Sequence, residues 1–115
     1  MGAIYEGGTG LNAVENQVRE LVKVELAAAN ERFPQFHSQH EGWAVILEEV
    51  NELSAETALV EKTANELWEH IKSNKPSGVI EYDADWVGRY AINAACEAIQ
   101  VAAMCKKFLE MEGKR

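Results

Sequence analysis

Three carboxylates crowd the five residues Glu48-Glu49-Val50-Asn51-Glu52, and another follows much later in Glu97-Ala98-Ile99-Gln100. A helix advances about 100° per residue, so Glu49 and Glu52 project from one face about one turn apart, with Glu41, Glu48 and Glu56 in the same arc. Two like charges about 5 Å apart repel by roughly 3 kcal/mol at an effective dielectric near 20. Solvent and salt screen that repulsion on an open surface and do so far less against a packed helix. A hard divalent cation reverses its sign, and Mg²⁺ in particular is held by a few carboxylates together with substrate phosphates. The competing reading is a solvated acidic face, which Glu-rich helices often carry. Position favours the cation. Ile46, Val50, Leu53, Val60, Ala64 and Ile71 form an apolar stripe, and Glu49 borders it beside Leu53, so Glu49 is expected to be partly buried.

At 115 residues the chain is sized for one domain with a small core that oligomerisation would help to stabilise. Apolar residues make up 47% of it and recur regularly, which excludes a disordered chain. Nineteen acidic against eleven basic residues give a net charge of −8, which argues against duplex DNA or an anionic membrane as the main partner. A free nucleotide carried with Mg²⁺ is compatible with that charge. No apolar run reaches the length of a membrane span and the start lacks signal-peptide character, so the expected compartment is the cytoplasm. Cys96 and Cys105 lie about 13 Å apart along one helix, beyond disulfide reach, and read as small core residues in a reducing compartment.

These chemical groups need elements to hold them. Residues 1–10, with four glycines, read as a flexible lead-in, and 11–115 as a single all-α domain. Thr9 or Asn12 is the expected cap of a first helix, in which apolar residues recur at helical spacing from Leu11 to Phe33 before Pro34 stops it. Ser38 and Glu41 form a capping box that opens a long second helix, from about Gln39 to Ser73. The run Lys72-Ser73-Asn74-Lys75-Pro76-Ser77-Gly78 breaks it, and Val79-Ile80-Glu81-Tyr82 is too short to assign. Asp83 or Asp85 is then the expected cap of a third helix reaching about Glu112. On that helix Arg89, Asn93, Glu97, Gln100 and Lys107 share a polar strip, flanked by Val87, Tyr90, Ala94, Val101, Met104, Cys105 and Phe108. The alanines in its middle allow close helix-to-helix approach, which would bring Glu97 and Gln100 opposite Glu49 and Glu52.

The order Glu-Glu-x-x-Glu on one helix, then Glu-x-x-Asp on the next, resembles the MazG-like superfamily of all-α nucleoside triphosphate pyrophosphohydrolases. Glu48, Glu49 and Glu52 carry the first motif here, and Glu97 with Gln100 carries the second. The phrase Glu97-Ala98-Ile99-Gln100-Val101-Ala102-Ala103-Met104 looks like a compact branch found among phage and bacterial proteins, and the resemblance covers residues 38–112. It implies that Glu49, Glu52 and Glu97 are metal ligands for Mg²⁺, that Glu48 is the motif's leading acid, and that Gln100 stands where the family usually has Asp. An amide oxygen coordinates Mg²⁺ without adding charge, so this variant is expected to bind metal more weakly or to hold fewer ions.

The reaction so implied cuts a nucleoside triphosphate between its α and β phosphates. Glu48 or Glu56 is the candidate to position or deprotonate the attacking water, and Arg89, Asn93 and Lys107 are candidate substrate-binding residues. The alternative for the two cations is a weak ion pair on a helix surface. The alternative for the whole chain is a non-catalytic helical module that binds nucleotide or a protein partner, and Gln100 divides the two readings. Trp43, Trp68 and Trp86 fit core or interface positions better than base stacking, and His37 and His40 lack the further ligands of a zinc site. A di-iron bundle needs Glu-x-x-His twice, whereas Glu66-Leu67-Trp68-Glu69 places His70 one residue late. The expected fold is a hairpin of two long helices with the N-terminal helix across it. A homodimer or homotetramer would complete a four-helix-bundle-like core.

Overall fold

A computed structural model describes residues 13–113. Among the described residues it contains three helices and no strand: α1 (Glu15–Arg32), α2 (Gln39–Lys72) and α3 (Ser77–Met111). The lead-in and the candidate caps Thr9 and Asn12 lie outside the described residues. α1 starts after Val14 without a side-chain cap and ends at Phe33, whose extended backbone (φ −134°, ψ 145°) suits the residue before a proline.

The Ser38 hydroxyl accepts the Glu41 backbone N–H at 3.1 Å and opens α2 as expected. The return half of the box is displaced by one residue, because Glu41 Oε1 accepts the N–H of His37 at 2.5 Å. That bond, helped by the His37 ring and more weakly by Lys107, holds the Glu41 carboxyl below its ordinary value. α2 closes in a Schellman motif: Lys75 N–H donates to the His70 carbonyl and Asn74 N–H to that of Ile71, with Asn74 left-handed at φ 58°.

α3 begins at Ser77, earlier than the sequence suggested, and takes in Val79 to Tyr82. Pro76 occupies its N-cap without a side-chain bond, so the start carries no polar signature. Asp83 and Asp85 are not caps. Asp83 Oδ2 lies 2.5 Å from His70 Nδ1 on α2, and Asp85 accepts from Arg89 Nε at 2.8 Å on its own helix.

α2 and α3 pack antiparallel: His70 meets Asp83 beside the turn, and Gly42, at the other end of α2, meets Phe108 near the end of α3. α1 packs on α3 alone; between α1 and α2 there is no backbone approach, only facing side chains across a cavity. The expectation of a helix laid across both members of the hairpin is therefore corrected. The molecule is a rod of 56 × 30 × 23 Å, and the only buried apolar residues among those described are Val22, Phe36 and Ala103. Trp43, Leu47 and Val50 recur at helical spacing on α2 and remain exposed. Cys96 is exposed and Cys105 only half-buried, so Cys96 is no core residue; neither neighbouring helix covers its side of α3. No helix among the described residues is long and apolar enough to cross a membrane.

Candidate metal centre

Glu49 and Glu52 leave α2 one turn apart and face Glu97 of α3, so that one carboxylate oxygen from each lies within 4.8 Å of the others. Glu49 and Glu97 are half-buried and Glu52 is exposed, which leaves the cluster open on one side. The apolar edge that Glu49 shares with half-buried Leu53 draws it inward, as its position on the helical wheel required.

Burial raises the pKa of Glu49, and the charges of Glu52, Glu97 and Glu48 raise it further. Glu97 is raised first by burial and then by Glu52 and Glu56. The five acids therefore share one electrostatic site. Three of their buried oxygens, Oε1 of Glu49, Glu56 and Glu97, have no hydrogen-bond donor among the described residues. A buried carboxylate oxygen without a donor is costly, and a cation supplies what is missing. Three hard oxygen donors from two helices, with one open side for water or phosphate, suit Mg²⁺ and do not suit a soft metal.

Beside the cluster is a cavity of about 560 Å³ between α1, the start of α2 and the end of α3. Glu49 belongs to both. Glu48 and half-buried Gln100 also face the cavity, so both share a boundary with the cluster. Lys107 lines it as well, and the structure changes that residue's standing: it is no member of an open polar strip but only 2% exposed. Its ammonium lies 5.1 Å from the centre of the Phe36 ring, and its backbone carbonyl accepts from Gln35 Nε2 at 3.0 Å. The connection between α1 and α2 folds over it.

Arg89 and Asn93 are exposed and line neither the cavity nor the three-carboxylate cluster. Arg89 pairs with Asp85 and lies 5.0 Å from the Trp86 ring centre. His37 and His40 are exposed, with His37 engaged by Glu41, and Trp43 and Trp68 are exposed too. Sequence reasoning missed Arg32, Gln35 and Phe36 as cavity residues. The available signal was the Phe33-Pro34-Gln35-Phe36 run, in which an aromatic follows a helix stop in a short connection. Comparison of the chain with family profiles, with characterised proteins and with solved structures finds no match.

Proposed function

We propose that the chain is a Mg²⁺-dependent pyrophosphohydrolase that cleaves a nucleoside triphosphate to a monophosphate and pyrophosphate. The observation that carries this is the convergence of Glu49, Glu52 and Glu97, with unpaired buried oxygens on two of them, at the edge of a cavity large enough for a nucleoside. The MazG-like order of the same acids along the chain supports it independently of that geometry.

Glu49, Glu52 and Glu97 would hold the metal, and Gln100, one turn further along α3 on the cavity wall, would add an uncharged oxygen. Mg²⁺ bound there would neutralise charge on the phosphate oxygens. Glu56 is half-buried, with one oxygen lacking a donor and its charge felt by Glu97, and it takes the proton of the attacking water. The water oxygen bonds to the α phosphorus as the α–β bridging bond breaks, and pyrophosphate leaves with the bond's electron pair. Glu48, exposed on the cavity wall, orients the water. Arg32 and Lys107 are the cations facing the cavity. The same reading includes a homodimer or homotetramer, because so few apolar residues are buried among those described, and a cytoplasmic setting where nucleotide and Mg²⁺ occur together.

A panel of nucleoside triphosphates incubated with Mg²⁺ and assayed for pyrophosphate tests this directly. Release that stops on chelation supports it. No release across the panel leaves the non-catalytic nucleotide-binding module, the reading that the uncharged Gln100 favours.

A further inference from the structure

Lys107 is buried, and among the described residues nothing accepts a hydrogen bond from its side chain. Only 2% of the residue is exposed, and among the described residues no hydrogen bond or ion pair engages its Nζ; the carboxylate that feels its charge is Glu41, on the same cavity wall. The Phe36 ring beneath it attracts the charge through its π face but offers no lone pair. An ammonium on the wall of a cavity, with donors that no described residue takes up, marks where a ligand's acceptor belongs.

The cavity itself decides which acceptor. Its ionisable lining is Glu25, Glu41, Glu48 and Glu49 against Arg32 and Lys107. A phosphate chain placed inside would meet twice as many carboxylates as cations, whereas a neutral ring would meet no net repulsion. The remaining wall is largely apolar and aromatic, with Phe33, Pro34, Phe36, Val45 and Met104. That is the lining of a site for a flat heteroaromatic group, with a few polar groups fixing its orientation. Glu49, shared with the carboxylate cluster, places the cavity next to where phosphates would meet metal.

We propose that this cavity holds the nucleobase, and that Lys107 donates to a carbonyl oxygen on it, so that the site selects bases that carry an oxo group and rejects adenine. Adenine has acceptors only on its ring nitrogens, and at the position where inosine carries its oxo group it presents an amino donor, which sets donor against donor at Lys107; a site built to hydrogen-bond one group discriminates strongly against an analogue without it. Lys107 is then a specificity determinant. This deepens the pyrophosphohydrolase reading, yet its test needs neither metal nor turnover.

The experiment is an NMR chemical-shift titration of the metal-free full chain with uridine, inosine and adenosine, which are neutral and avoid the carboxylates. Inosine and adenosine differ chiefly by the oxo and amino group at one ring position. Inosine and uridine are expected to bind at least ten-fold more tightly than adenosine, shifting the resonances of Phe36 and Gln35. In Lys107→Met, with folding checked by circular dichroism, inosine is expected to fall to the affinity of adenosine. Equal affinity for the three nucleosides in the wild-type chain overturns the proposal, as does a preference that survives in the variant or an absence of binding at millimolar concentration. Inorganic phosphate binding at Phe36 and Gln35 more tightly than inosine also overturns it, making the cavity a phosphate subsite. Base selectivity without pyrophosphate release would sink the enzymatic reading and leave this one standing.

Discussion

Gly42 and Phe108 touch where no side chain beyond hydrogen fits: a Cβ built on Gly42 would lie 2.5 Å from Phe108 Cδ2 and 3.0 Å from Phe36 Cδ2. In an isolated helix Ala is better than Gly by about 1 kcal/mol. Here the clash dominates, because overpacking a contact between ring and backbone costs about 1–3 kcal/mol. With the propensity gain offsetting part of the clash, we expect Gly42→Ala to lower stability by up to about 2 kcal/mol in urea titration. Gly88→Ala, on α3 with no atom within 4 Å of its Cβ, is expected to raise it by about 0.5–1 kcal/mol.

Glu49→Gln and Glu97→Gln each remove one charge from a mutually repelling set, and with it a proposed metal ligand. Both variants are expected to lose Mg²⁺-dependent pyrophosphate release while the metal-free protein stays at least as thermostable as wild type. Gln100→Asp is expected to tighten Mg²⁺ binding in calorimetric titration, through its added charge. A loss of more than about 1 kcal/mol in both metal-free Glu→Gln variants would instead make these acids structural acceptors.

The pH dependence follows from the same two acids. Glu49 and Glu97 have folded pKa values above the ordinary 4.5, so the folded chain binds more protons than the unfolded chain between that value and the raised ones. Their penalty is absent below the ordinary value, grows as pH rises through that interval, and is complete above the raised values. Their contribution should therefore make the metal-free protein more stable as pH is lowered from neutral towards the ordinary value, with Glu49→Gln/Glu97→Gln flattening this trend. Mg²⁺ bound as proposed would compete with those protons, so its rise in Tm should be larger at neutral pH than at mildly acid pH. Thermal scans with Mg²⁺ and with chelator read both effects.

The exposed stripe of Trp43, Leu47 and Val50 supports self-association of this rod. Sedimentation is expected to show a dimer or tetramer at micromolar concentration, with Trp43→Glu shifting it towards monomer. A stable wild-type monomer would be the contrary result.

Glu49, Glu52 and Glu97 were legible in the sequence because helical geometry fixes what lies one turn away, and because the apolar edge beside Glu49 fixed which way that turn faces. Lys107 was not. A helical wheel judges a residue against its own helix, whereas the cover over Lys107 comes from Gln35 and Phe36 in a connection that has no periodicity to read. The start of α3 was misplaced for a related reason: Pro76 and Ser77 supply no capping bond, and the two conspicuous aspartates beyond them serve His70 and Arg89 instead. The all-α class needed only the apolar spacing of the two long helices. That α1 rests on α3 alone depends on the angle of the six-residue connection, which composition does not encode.

The bond from Gln35 to the Lys107 carbonyl joins residues 72 positions apart, whereas α2 and α3 meet across a turn of four. Closing a long loop costs more chain entropy than closing a short one, and contacts near in sequence form sooner. The hairpin can thus zip up from its four-residue turn until its carboxylates meet, and the cavity wall contributed by α1 and its connection is expected to arrive last. Loop closure alone leads one to expect that the acids come together before the chamber beside them exists.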